Sequence, residues 1–193
     1  MNISTTGIPA GSISMVRTFI AIELSPAVRS EIGKIQPDLR QCRARLTLVN
    51  PEIIHITLKF LGEVSSEDLS TVTRALEKIR LEPFTINVSG VGVNNPRSPR
   101  VIWAGVDPIE PCKILNERIE AALEPLGFAR EKRAYTPHAT IARVREHDRS
   151  LEAAIGPHAN REFGRCLIDR FSLKKSVLTP KGPVYETVAE VVW

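Results

Sequence analysis

The chain of 193 residues carries 26 Lys and Arg against 22 Asp and Glu, a net charge of +4, with 42% hydrophobic and 25% charged residues. These values exclude a disordered or collagen-like chain, and no apolar run approaches the ~18 residues that a membrane-spanning helix needs. The three cysteines, Cys42, Cys112 and Cys166, are far apart and form no CxxC, which fits reduced thiols in a cytoplasmic protein, and the modest positive charge favours an anionic partner.

Residues 1–14 carry no charge and lack the basic start and continuous apolar segment of a signal peptide. They read as a flexible extension, or as an upstream start ahead of Met15. Val16 to Leu24 reads as a strand. Ser25 then caps a helix with Pro26 at its first position, and Val28, Ile32, Ile35 and Leu39 recur at helical spacing toward a core. Leu46 to Val49 and Ile53 to Leu61 read as strands joined around Asn50-Pro51. Ser65 and Asp68 form a capping box that opens a second helix, whose apolar stripe is Leu69, Val72, Leu76 and Ile79. The strands Phe84 to Val93 and Arg100 to Val106 follow, joined by the basic, turn-rich loop Asn94 to Pro99. A helix from about Pro111 aligns Leu115, Ile119, Ala122 and Leu126 and stops at Gly127. A short helix from Ser150 to about Ala159 comes next, and Phe163 to Val177 and Val184 to Trp193 close the chain as strands.

Two stretches within this plan are copies of one pattern. His55-Ile56-Thr57-Leu58 and His138-Ala139-Thr140-Ile141 both read His-x-Thr-aliphatic, and they hold two of only four histidines. Each lies in a strand context, where side chains alternate between faces. His55, Thr57 and Lys59 therefore share one face, with Ile54, Ile56, Leu58 and Phe60 on the other; His138 and Thr140 share a face likewise. Two imidazoles in one cavity divide acid and base work near neutral pH. The threonine hydroxyls beside them are donors for an anionic centre such as a phosphoryl group. No third His, Cys or carboxylate stands at ligand spacing near either copy, so neither a metal nor a cofactor is expected. His147 and His158 lack the threonine partner and read as surface residues.

The sequence resembles the two-histidine (2H) phosphoesterase superfamily, defined by two His-x-Thr/Ser-x motifs, and within it the RNA 2',3'-cyclic phosphodiesterase family, formerly called 2'-5' RNA ligase. The resemblance runs from Met15 onward. It rests on Arg17-Thr18-Phe19-Ile20-Ala21-Ile22, on His55-Ile56-Thr57-Leu58-Lys59-Phe60-Leu61-Gly62-Glu63 and on Pro99-Arg100-Val101-Ile102-Trp103-Ala104-Gly105. It continues through Pro137-His138-Ala139-Thr140-Ile141-Ala142-Arg143 to Gly182-Pro183-Val184-Tyr185.

The resemblance implies metal-independent opening of an RNA terminal 2',3'-cyclic phosphate to a 2'-phosphate. It implies His55 as proton donor to the departing 3' oxygen, His138 as proton acceptor from water, and Thr57, Thr140 and Arg143 as phosphate-binding groups. The near-symmetric local sequence does not itself say which histidine is acid and which is base. Lys59, sharing the His55 face, and Phe19, a candidate to stack a base though more often a core residue in such a strand, are further substrate contacts to test. Trp103 and Tyr185 read as core or rim. Arg97, Arg100, Arg130, Lys132 and Arg133 are candidates, as a group, for holding an RNA backbone.

The expected architecture is α+β: a bilobal duplicated fold over residues 15–193, with two antiparallel sheets flanked by helices and a central cleft between the motif strands. The expected partner is an RNA 3' end bearing the cyclic phosphate, tRNA fragments among them, and the expected state is a monomer away from membranes. The competing readings are a small cyclic nucleotide phosphodiesterase or 2'-5' RNA ligase of the same superfamily, and a non-catalytic RNA-binding module.

Overall fold

The structure is a computed structural model that describes residues 14–180 and 182–193; the expected extension over residues 1–14 lies outside them except for Ser14. The described residues form nine strands: β1 (Met15–Glu23), β2 (Arg45–Leu48), β3 (His55–Ser65), β4 (Phe84–Val93), β5 (Val101–Asp107), β6 (Ala139–Glu146), β7 (Glu162–Ile168), β8 (Arg170–Thr179) and β9 (Gly182–Val192). Five helices accompany them: α1 (Pro26–Gly33), α2 (Gln36–Leu39), α3 (Ser66–Leu76), α4 (Glu110–Leu123) and α5 (Ser150–Ile155). The fold is α+β. All strand pairs are antiparallel, in the order β7-β4-β5-β6-β3-β1-β8-β9, with β2 added beside β6.

This order divides at one point. β6 and β3 meet through a single pair, Ile56 opposite Ala139, whereas the strands on either side pair over several residues. The halves are thus β3-β1-β8-β9, and β7-β4-β5-β6 with β2. Each carries one motif strand, and the residue shared at the seam is the middle residue of each motif. The chain builds the halves by interleaving: β1 and β3 come early, while β8 and β9 return at the end to complete the same half. The helices interleave too. α1 packs on β7, and α3 and α4 pack on each other and on β3.

One hydrophobic cluster runs through both halves. It includes Ile20 and Ile22 from β1, Val28 and Ile32 from α1, Val72 and Leu76 from α3, Leu115 and Ile119 from α4, and Phe171 and Leu173 from β8. Burying this many branched side chains at ~1.5–3 kcal/mol each is the main drive to fold.

Three local departures have physical causes. The expected helix through Leu39 is two pieces, because Pro37 lacks the N–H that a continuous helix needs; Ile35 and Leu39 are buried all the same. The helix expected to reach Ala159 changes to a 3-10 turn at Gly156–His158, where Pro157 intervenes. The run Phe163 to Val177 is two strands divided at Asp169, where the chain leaves β4 for β1. His158 is not a surface residue: it is buried, with Nε2 2.9 Å from Asp38 Oδ2.

Candidate active site

The two copies are shaped alike, and a strand irregularity does the shaping. Along β3, Ala21 of β1 faces Thr57 but Ile20 faces Lys59, so Leu58 is an extra residue, a β-bulge. Along β6, Trp103 of β5 faces Thr140 but Ile102 faces Ala142, so Ile141 is the extra residue. The aliphatic position that ends each tetrapeptide is the bulge, and both residues are buried. Past a bulge the alternation of faces inverts. Arg143 therefore joins His138 and Thr140 on the cleft face, and Phe60, at the same offset from its histidine, joins His55 and Thr57.

The same inversion corrects the placement of Lys59. It does not share the His55 face. It turns to the helix side, where its Nζ lies 2.6 Å from Glu120 Oε2 of α4 and 2.8 Å from the Ala129 carbonyl. Both side chains of that ion pair are 6% exposed. Phe19 lies on the cleft face but is 3% exposed. Its ring is covered by His55 at 5.0 Å, Tyr185 at 4.8 Å and Phe60 at 6.1 Å between centroids. It is the floor under His55 and offers no open ring face to a base.

Each imidazole is held by the chain two residues ahead of it, just before its motif strand. His55 Nδ1 lies 2.8 Å from the Ile53 carbonyl, and His138 Nδ1 lies 2.8 Å from the Thr136 carbonyl. A carbonyl only accepts, so Nδ1 carries the proton in both rings and Nε2 is left for chemistry. His55 Nε2 is 3.1 Å from Thr57 Oγ1. Trp103, half-buried on β5, stands 6.0 Å from His138 and rims the second motif.

The surroundings of His55 tune it. Burial among Phe19 and Tyr185 pulls its pKa below the ordinary value, and the Lys174 ammonium pulls the same way; the Ile53 carbonyl and the Glu23 carboxylate oppose them. Glu23 is the cross-strand neighbour of His55, yet its carboxylate pairs with the buried Lys174, whose Nζ also lies 3.0 Å from Thr187 Oγ1. That pairing holds the Glu23 carboxyl below the usual carboxylate range. An NMR titration of the His55 ring is expected to give a midpoint below ~6.5. Lys174→Met is expected to move it upward, because the variant removes a nearby cation and frees Glu23 to face the imidazole. An unmoved midpoint would mean that the Glu23–Lys174 pair has no hold on the ring.

Sequence reasoning missed Phe60, which is 63% exposed beside the motif. It also left Tyr185 at the core or rim, whereas its ring stands edge-on to His55 at 5.4 Å. The fields of Arg143, across the seam, and Arg17 on β1 both reach the Tyr185 hydroxyl, while burial raises its pKa. Among the basic candidates, Arg130 is committed to Glu117 at 2.6 Å and Glu124 at 2.9 Å.

The model of the 2'-5' RNA ligase superfamily matches residues 22–177. Curated relatives named RNA 2',3'-cyclic phosphodiesterase include one from Methanothermobacter thermautotrophicus, 38% identical over 88% of this chain and 95% of its own length. Another, from Archaeoglobus fulgidus, is 35% identical over 89% of this chain and 97% of its own length. Among solved structures, a Thermus thermophilus protein superimposes with a TM-score of 0.75 at 29% identity, covering 91% of this chain and 97% of that one. E. coli LigT crystallised with 3'-AMP shares the fold at a TM-score of 0.79, 23% identity, and coverage of 93% and 98%. With both motifs inside the matched segment, the chain belongs to the 2'-5' RNA ligase superfamily.

Proposed function

We propose that the protein hydrolyses the 2',3'-cyclic phosphate at an RNA 3' end to a 2'-phosphomonoester, with two histidines and no metal. The observation that carries this reading is the meeting of the two motifs at Ile56 and Ala139, each with the same bulge and the same Nδ1 anchor. The relatives named for this activity, matched over nearly their whole length, support the substrate class.

His138 Nε2 takes a proton from water as the oxygen attacks phosphorus. The bond from phosphorus to the 3' oxygen breaks, and protonated His55 gives its Nε2 proton to that oxygen. The hydrogen bond from Nδ1 to the Ile53 carbonyl persists through both charge states of His55 and is strongest when the ring is charged. Thr57 and Thr140 donate to the non-bridging oxygens, and the Arg143 guanidinium offers its fork of donors to the same group. The terminal base stacks on the open face of Phe60, a contact worth roughly 1–3 kcal/mol. The enzyme acts as a cytoplasmic monomer formed by one bilobal domain over residues 15–193.

The test is product analysis on a short RNA ending in a 2',3'-cyclic phosphate, with EDTA present throughout. A 2'-phosphate formed at an undiminished rate is the expected result. A 3'-phosphate product, or activity abolished by the chelator, overturns the mechanism.

A further inference from the structure

The segment that leads into the second motif runs back along the free edge of β3. Beyond the seam, the Leu58 bulge leaves β3 carbonyls without a strand partner. Tyr135 donates its hydroxyl to the Thr57 carbonyl at 3.0 Å, and Asn116 of α4 donates to the Leu58 carbonyl at 2.9 Å. Lys59 holds the Ala129 carbonyl at 2.8 Å. Arg130 is tied to Glu117 and Glu124, and Phe128 packs against the core. Both ends of the segment are thus fixed to β3 and α4.

The bend between these anchors is different. The side chains of Lys132 and Arg133 are exposed and have no carboxylate or hydrogen-bond partner among the described residues. They stand along β3 between Thr57, which Tyr135 grips, and Lys59, which grips Ala129. That is the end of the cleft where Phe60 is exposed. Arg97 and Arg100 belong to the opposite end: the Arg100 carbonyl accepts from Val144 N, next to Arg143. Arg143 therefore lies toward one end of the motif strands, and the open ring of Phe60 lies toward the other, the end along which the segment carrying Lys132 and Arg133 runs.

We propose that Lys132 and Arg133 form the backbone track for the RNA upstream of the terminal nucleotide. The proposal rests on the reading of the site as a cyclic phosphodiesterase. With the terminal base on Phe60 and the cyclic phosphate between the histidines, the 5' phosphate leaves past the Phe60 end. It does not return across the seam toward Arg143. The fixed anchors present the two cations without a large ordering cost, and two phosphate contacts are a salt-sensitive, sequence-independent source of affinity.

The experiment compares a mononucleoside 2',3'-cyclic phosphate with an RNA octamer bearing the same end, on wild-type protein and on K132A/R133A. Binding of an octamer ending in 2'-phosphate is measured alongside by fluorescence anisotropy. The expected result is a KM for the cyclic octamer raised on the order of tenfold at low salt, with the mononucleotide unaffected. The slope of log affinity against log salt is expected to fall by about 1.4, the loss of two single-strand phosphate contacts. R74A/K78A, which removes the same charge from the helix side, is expected to change neither substrate.

Equal losses on both substrates, equal losses in both double variants, or unchanged octamer affinity in K132A/R133A overturns the track. A wild-type protein that turns over neither substrate overturns the functional reading instead, and the anisotropy arm still decides the track.

Discussion

Replacing either His55 or His138 by alanine is expected to cut turnover of the cyclic phosphate by about 10²–10⁴-fold, the usual share of one positioned acid or base. The double variant is expected to lie close to the weaker single variant rather than at the product of the two losses. Acid and base serve one transition state, and removing one leaves the other little to do. Both imidazoles are only half-buried, so both variants are expected to fold. His55→Ala gives up more packing, because its ring contacts Phe19 and Tyr185. The exposed His147 is the matching control, and H147A is expected to keep full turnover. A single variant at either motif that retains more than about a tenth of wild-type turnover would falsify the two-histidine assignment.

The paired motifs, the α+β class and most elements were legible because short-range signals carry them. Ser25 and Pro26 start α1, with the Ser25 hydroxyl accepting from Val28 N, and Ser65 accepts from Asp68 N to open α3. The face of each residue beyond the motifs was harder, because a bulge carries no compositional mark: Leu58 and Ile141 are ordinary strand residues.

A signal was nonetheless present. Arg143 is three positions past Thr140, an odd offset that in a regular strand puts it on the opposite face. An arginine meant for the phosphate therefore demands an extra residue between them. Applied to the other copy, the same offset moves Lys59 off the cleft face and brings Phe60 onto it, as the register shows. The division at Asp169 was hidden for another reason. The lone Asp169 is a weak turn signal inside an otherwise strand-like run, and the break exists because β7 pairs with β4 while β8 pairs with β1, partners that lie far away in sequence.

Lys59→Met is expected to be the most destabilising single change outside the apolar core. The pair it breaks is buried on both sides, with 6% exposure for Lys59 and for Glu120. Its loss leaves a carboxylate in a dry setting with nothing but the backbone N–H of Glu131, 3.5 Å from the other oxygen. Removing one partner of such a pair costs about 3–5 kcal/mol, a large part of the roughly 5–15 kcal/mol that holds a domain together. The Ala129 carbonyl loses its donor as well.

The second substitution separates charge from shape. K59M/E120L replaces the ion pair by apolar side chains of similar length, and such exchanges are often neutral or stabilising. Denaturant melts are therefore expected to show a sharp drop in K59M and recovery of most of it in K59M/E120L. The Ala129 carbonyl stays without its donor in both variants, so a shortfall of about 1–3 kcal/mol is expected to remain. That remainder isolates the hold that β3 has on the segment leading to His138. A K59M protein within about 1 kcal/mol of wild type would mean that water reaches the pair. A double variant no more stable than K59M would place the whole cost in the Ala129 contact rather than in the stranded carboxylate.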